Sequence, residues 1–233
     1  YTFLNDDYPG TDLAFAYTDL LENYADRIEG LFITHAHEDH FGAIAHVWPK
    51  LKCPVYAMDF TLGLIRGRLD EFHLEESVPL IAVNDRKLVE TETFSVEFVP
   101  MVHSVPETCA LYIRTPFGKV FHATDWRFDD GETAILQADF AALERIGQEG
   151  VDLLAGDSTN IMVDKPQFSE KDVRESLLRL VPLYKNGLVA TCFASNLVRL
   201  ESLVLAAYEA GRTPVLVGRT LIKNMKVARE CGY

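Results

Sequence analysis

The chain has 233 residues, 48% of them hydrophobic, with 22 Lys and Arg against 35 Asp and Glu for a formal net charge of -13. That is enough chain to bury one substantial core, or one domain and part of a second. No run approaches the roughly 18 uninterrupted apolar residues a membrane-spanning helix needs, and the opening "YTFLNDDYPG" has neither the basic region nor the apolar core of a signal peptide, so neither a membrane nor export is expected.

The chain opens without a methionine and in mid-pattern, which points to sequence missing on its N-terminal side. Residues 20–30 are expected to be helical, ending at Gly30, and "LFIT" then reads as a short buried strand. A helix is expected over Phe41 to Val47, a strand in "CPVYAM" and another helix near Thr61 to Phe72. Strand-like segments follow in "PLIAV", "FSVEFVPMV", "ALYIRT" and "GKVFHATD", the last two joined by the turn residues Pro116, Phe117 and Gly118, and "VDLLAGD" reads as one more buried strand. From about residue 165 the pattern becomes regular α/β alternation. Ser169 with Asp172 forms a capping-box signature for a helix to about Leu183. Then come a strand in "LVATCFA", a helix from Asn196 to Ala210, a strand in "PVLVG" and a helix in "LIKNMKVAREC". A domain boundary is expected between residues 160 and 168, dividing the chain into 1–165 and 166–233; there is no internal repeat.

Cys53, Cys109, Cys192 and Cys231 are far apart, without a CxxC pair, and fit a reducing, cytoplasmic setting. The net charge argues against a polyanionic partner for the chain taken as a whole. The charge is uneven, however. Residues 171–233 hold ten cations (Lys171, Arg174, Arg179, Lys185, Arg199, Arg212, Arg219, Lys223, Lys226, Arg229) against five anions (Asp172, Glu175, Glu201, Glu209, Glu230), so this segment is +5 and the remainder -18.

Three of the seven histidines fall in the six-residue run "HAHEDH" directly after the "LFIT" strand. Imidazole nitrogens and a carboxylate at this spacing form a ligand set for Zn²⁺ or a similar first-row ion, with no thiolate nearby to suggest a structural finger. In a strand-end loop His35 and His37, two residues apart, can point the same way. Asp39 and His40 run on into the first helical turn and can face a second ion. Two further polar residues close apolar strands: His103 after "FSVEFVPMV" and Asp125 after "GKVFHAT". His122 lies three positions before Asp125, so strand alternation puts it on the other face, and it is assigned to structure. His46, about 240° round a helix from His40, and His73, among charges in "DEFHLEES", are assigned to surface or packing.

The ordered set "THAHEDHFGA", "HSVPET", "TDWRFD" and "GDSTN" resembles the successive signatures of the metallo-β-lactamase fold, an αββα sandwich, in its nucleic-acid-processing β-CASP branch. "LLAGDSTN", "VATCFASNLVRLES" and "VLVGRTLIKNMKVARECGY" are similar to the opening β-CASP segments of the bacterial ribonuclease J family, and the resemblance covers essentially the whole chain. It implies one zinc ion held by His35, His37 and His103, a second held by Asp39 and His40, and Asp125 bridging the two. Asp39 and His40 are the catalytic candidates, Asp39 to orient the attacking water or accept its proton. Asp157 takes a supporting role beside the metals, with a turn cap as the competing explanation. Ser195 and Asn196 are candidates for phosphate contact, although packing or helix capping accounts for them as well. Where many relatives carry histidine after "SNL", this chain has Val198. The resemblance also implies that the first lactamase strand, the returning lactamase segment and the rest of the β-CASP domain lie outside this sequence.

The function so implied is zinc-dependent 5′–3′ exonucleolytic and endonucleolytic hydrolysis of RNA in rRNA processing and mRNA decay. The partners are RNA, further copies of the chain in a homodimer or homotetramer, and an RNA-processing complex. A small-ester or thioester hydrolase on the same fold, and a non-catalytic scaffold subunit, are the competing readings.

Overall fold

In the computed structural model, residues 2–3, 9–11, 13–83, 88–127, 138–164 and 168–233 are described. Strands β1 (Thr2–Phe3) and β2 (Leu13–Ala14) form a small antiparallel ladder, and α1 (Asp19–Glu22) and a 3-10 turn (Ala25–Arg27) follow. A parallel sheet in the order β3-β4-β5 is built from β3 (Leu31–Phe32), β4 (Val55–Ala57) and β5 (Leu80–Ala82). Between these strands the chain forms α2 (Glu38–Phe41), α3 (Ile44–Leu51) and α4 (Asp59–Asp70). A larger sheet contains β6 (Leu88–Glu90), β7 (Ser95–Pro100), β8 (Cys109–Thr115), β9 (Gly118–Thr124) and, after α5 (Phe140–Glu149), β10 (Leu153–Gly156), in the order β10-β9-β8-β7-β6. Its ladders are antiparallel except β9–β10. Helices α6 (Glu170–Leu180), α7 (Leu197–Glu209) and α8 (Arg219–Glu230) complete the chain.

Strand alternation explains the layering. On β8, Ala110 and Tyr112 point to one face and join Val99, Phe121, Ala123 and Ile146 of α5 in a buried cluster. Cys109 and Leu111 point to the other and join Val96, Phe98, Phe32 and Tyr56, which places the two sheets face to face. The outer side of the small sheet, through Ile33, Val55 and Ala57, packs on Trp48 of α3 and on Phe60, Leu62, Ile65 and Leu69 of α4. The order is helix, sheet, sheet, helix, the αββα arrangement that the sequence signatures imply. Leu197 and Leu200 of α7 and Val227 and Ala228 of α8 belong to this last core, so the third helical group closes over α4.

Four expectations are corrected. The strand in "VDLLAGD" forms as β10 beside β9, but it is exposed rather than buried, with Leu153 and Leu154 open to solvent at the edge of the large sheet. The helix over 20–30 shortens to α1 and the 3-10 turn; α1 buries no residue, and a helix without an apolar face on the core lacks the packing that sustains most protein helices. The single helix over 41–47 is instead α2 and α3, separated at Gly42 and Ala43. The segments "LVATCFA" and "PVLVG" take part in no ladder among the described residues, and Val189, Phe193, Val215 and Val217 are exposed. Their β-branched composition suits a strand, but a strand exists only where a neighbour supplies backbone partners. The capping box is present as expected: the Ser169 hydroxyl accepts from the Asp172 N–H (3.0 Å), and the Asp172 carboxylate accepts from the Ser169 N–H (2.8 Å). Residues 165–167, where the domain boundary was expected, lie outside the described residues.

Candidate metal centre

Strand ends on both sheets converge at one rim. After β3, the Ile33 N–H donates to the Tyr56 carbonyl (2.9 Å) and the Thr34 carbonyl accepts from the Cys109 N–H (3.0 Å), which ties the small sheet to the large one just before His35. On the large sheet, the Arg127 N–H donates to the Val102 carbonyl (3.0 Å), so the chain leaving β9 at Asp125 is bound to the chain leaving β7 at His103. The HAHEDH loop and these two exits therefore meet through backbone hydrogen bonds, before any side chain is considered.

The side chains form two groups that share one carboxylate. His35, His37, His103 and Asp125 make the first group and Asp39, His40 and Asp125 the second, each with its ligand atoms within 4.8 Å of one another. His37 Nδ1 is 3.1 Å from His35 Nε2 and 3.1 Å from His103 Nε2, while Asp125 Oδ2 is 3.9 Å from His35 Nε2 and 3.7 Å from His103 Nε2. Ligands about 2.05 Å from a tetrahedral zinc ion stand about 3.3 Å apart, so these spacings suit such an ion. In the second group His40 Nε2 is 3.5 Å from Asp39 Oδ2 and 3.5 Å from Asp125 Oδ2. A donor set of imidazole and carboxylate, without thiolate, suits zinc and other first-row dications.

Protonation favours cations in the same way. Burial, followed by the charges of His40, His37 and His103, drives His35 far below its ordinary value. His37 is lowered chiefly by burial, and His103 is pushed down to about 4, first by burial and then by His37 and Arg127. Neutral imidazoles with lone pairs directed to a common point are the form in which histidine binds a metal.

Hydroxyl groups orient these rings. With His35 Nε2 turned inward, its Nδ1 carries the proton and donates to Thr34 Oγ1 (3.0 Å), and Thr34 Oγ1 also accepts from the Thr124 hydroxyl (2.9 Å). His37 presents Nδ1 inward, and its Nε2–H donates to Ser104 Oγ (3.2 Å). Sequence reasoning missed these three residues. The signal was there, since "TH", "HS" and "TD" place a hydroxyl beside His35, His103 and Asp125 in turn. Glu170 was also missed: it is 2% exposed, takes both oxygens to Arg199 (3.0 and 3.1 Å) and lies 3.4 Å from Arg127, two residues after Asp125. In the sequence it is one of many acids in a helix, and only the fold buries it.

The other predicted residues are placed as follows. Asp157 is exposed and outside both ligand groups; its Oδ1 accepts from the Thr159 N–H (2.8 Å) and hydroxyl (2.6 Å), a turn cap, and its charge reaches His103. Asn196 caps α7, its Oδ1 accepting from the Arg199 N–H (2.9 Å). Ser195 lines a cleft of about 860 Å³ together with His37, Glu38, Asp39, Arg219 and Lys223. Val198 is buried beside Val102. His46 packs between the rings of Phe15 and Phe72, and His122 belongs to neither ligand group. Several cations of residues 171–233 are paired, Arg174 with Glu201, Lys223 with Glu71 and Lys226 with Glu230. No helix among the described residues is long and apolar enough to cross a membrane.

Residues 9–149 match the Beta-lactamase superfamily domain, and residues 185–233 match the Ribonuclease J, beta-CASP domain. The chain belongs to the metallo-β-lactamase superfamily. Within that superfamily it is 36% identical over 231 residues to a Ribonuclease J of Sinorhizobium meliloti, covering 99% of this chain and 41% of the relative. A Ribonuclease J of Thermus thermophilus is 33% identical over 245 residues, covering 99% of this chain and 42% of the relative. The chain thus spans about two fifths of the length of these relatives. Among solved structures, a protein of unknown function from Enterococcus faecalis V583 shares the fold, with a TM-score of 0.60 at 20% identity over 78% of this chain and 48% of its own. The metallo-β-lactamase fold implies divalent metal binding, and the His and Asp groups present fit it.

Proposed function

We propose that this chain carries the metal centre of a ribonuclease J-like enzyme that hydrolyses RNA phosphodiesters with two zinc ions, by both exonucleolytic and endonucleolytic cleavage. The observation that carries the reading is the sharing of Asp125 by a three-histidine group and an Asp39–His40 group, in a chain that also matches the Ribonuclease J, beta-CASP domain. The division into 1–165 and 166–233 belongs to the same reading.

Bound there, the two ions would supply Lewis acidity and a water acidified toward neutral pH. His35, His37 and His103 would hold one ion and His40 with Asp39 the other, with Asp125 within reach of both groups. Asp39 is the more solvent-accessible carboxylate of the pair, at 63% against 34% for Asp125, and so is placed to orient a water or take its proton. Buried Thr34 and Thr124, with half-buried Ser104, hold the rings so that little reorganisation accompanies the reaction. A site so loaded would carry local positive charge against the acidity of the chain, which suits an RNA backbone.

The test is cleavage of a 5′-monophosphorylated, end-labelled RNA, with a matched DNA strand and a chelator control. Chelator-sensitive release of mononucleotides or fragments from RNA, with DNA spared, supports the reading. Intact RNA in a preparation shown to hold zinc rejects it.

A further inference from the structure

The HAHEDH loop is held from outside by a row of ion pairs that reaches α8. Arg68, on the last turn of α4, lies between two carboxylates. Its Nη2 donates to both oxygens of Glu38 (3.0 and 2.8 Å) and its Nη1 to Glu71 Oε2 (2.8 Å). Glu71 Oε1 in turn accepts from Lys223 Nζ of α8 (3.3 Å). Lys223 reaches this position because α8 lies close on α4. A Cβ built at Gly63 would stand 2.5 Å from Val227 Cγ1, and one at Gly67 would stand 2.8 Å from Lys223 Cε. Gly63 and Gly67, and Lys223 and Val227, are each four residues apart, so one glycine face of α4 receives one face of α8.

Glu38 is not a ligand, but it stands between His37 and Asp39 and opens α2, the four-residue helix that carries Asp39 and His40. A helix of that length has almost no stability of its own. What fixes its rotation is whatever grips its side chains. The ligand atoms themselves repel one another until a cation arrives, so the loop needs an external hold to keep His37 and Asp39 directed inward.

We propose that Arg68 is a positioning residue for the metal centre: by clamping Glu38 to α4, with Lys223 and Glu71 bracing it from α8, it sets the orientation of α2 and hence of Asp39 and His40. The inference rests on the reading of these residues as a metal centre and is independent of the substrate. Guanidinium geometry matters because its two nitrogens are fixed in one plane, Nη2 on both oxygens of Glu38 and Nη1 on Glu71, whereas a lysine ammonium is a single point charge on a flexible stem that lacks this fixed fork.

The test is zinc affinity of the protein, measured by competition with a chromophoric chelator, for wild type, Arg68→Lys, Arg68→Gln and Lys223→Gln, with RNA cleavage read in parallel. Charge alone and positioning predict opposite signs. Removing a cation near a dication site tightens binding if only Coulomb repulsion matters. Positioning requires weaker binding: about tenfold for both Arg68 variants, since outer contacts to a metal site typically carry about 10–100-fold in affinity, and a smaller loss for Lys223→Gln. Arg68→Lys keeps the charge and is the decisive variant should Arg68→Gln fold poorly. Unchanged or tighter zinc binding by Arg68→Lys overturns the inference while leaving the metal centre intact. A wild-type protein that takes up no zinc overturns both. Weaker zinc binding in a protein that spares RNA supports the inference and rejects the ribonuclease reading alone.

Discussion

Asp125 Oδ2 lies 3.5 Å from His40 Nε2 and 3.7 Å from His103 Nε2, so one carboxylate oxygen is the common point of two ligand groups supplied by three separate segments of chain. Loss of Asp125 should therefore remove both ions, whereas loss of His40 should remove one. Zinc content by elemental analysis after dialysis is expected to fall to near zero in Asp125→Ala and to about half in His40→Ala; equal losses would show that the groups are not linked through Asp125.

Thr34 and His35 are both buried, and the Thr34 hydroxyl is the acceptor for His35 Nδ1. Thr34→Val keeps the shape and deletes the nearer acceptor, leaving the His35 imidazole N–H only the Thr124 hydroxyl at 3.4 Å, at a cost of about 1 kcal/mol or more. Zinc affinity is expected to drop by about 10–100-fold, with the fold retained by circular dichroism.

The depressed histidines should make the metal-free protein lose stability in acid. A ring kept neutral in the folded state has a folded value below its unfolded value near 6.5, so the unfolded chain takes up the proton first as pH falls. This stability is complete above about pH 6.5 and is lost down to about 4, the value of His103. Urea midpoints of chelator-treated protein should decline across that window, and His103→Gln should flatten part of the slope. A midpoint level from pH 7 to 4 would contradict the depressed values.

Where α8 crosses α4, Gly63→Ala would set a methyl 2.5 Å from Val227 Cγ1. Overpacking of this kind costs about 1–3 kcal/mol, visible as a lowered melting temperature. Val227→Ala in the same chain should recover much of it, in a double-mutant cycle with clear coupling.

Glu170, buried between Arg199 and Arg127, ties α6 and α7 to the segment that follows Asp125. Glu170→Gln should destabilise the protein by about 1.5–3 kcal/mol through lost charged hydrogen bonds. Thermal melts would check it; a loss below about 0.5 kcal/mol would mean that the two arginines find other partners.

Much of this was legible in one dimension because the signals are local. "HAHEDH" after an apolar strand, and polar residues closing "FSVEFVPMV" and "GKVFHAT", carry their chemistry in type and spacing, since strand alternation alone decides which side chains can share a rim. The Ser169–Asp172 box is local for the same reason, being a set of contacts within one helical turn. The strands anticipated in "LVATCFA" and "PVLVG" show the limit of that reasoning: composition states that a segment suits a ladder, while the neighbour that would make the ladder is not written in the segment.

The sequence by itself determined the ligand types, their order along the chain and the helix-sheet-sheet-helix class. The family resemblance already implied that Asp125 is shared, but tertiary structure alone decided that Thr34, Thr124 and Ser104 set the rings, that Glu170 is buried between two arginines, and that Arg68 grips the HAHEDH loop. Each of those pairings joins residues far apart in the chain or depends on burial, and no local pattern encodes which distant residue will arrive.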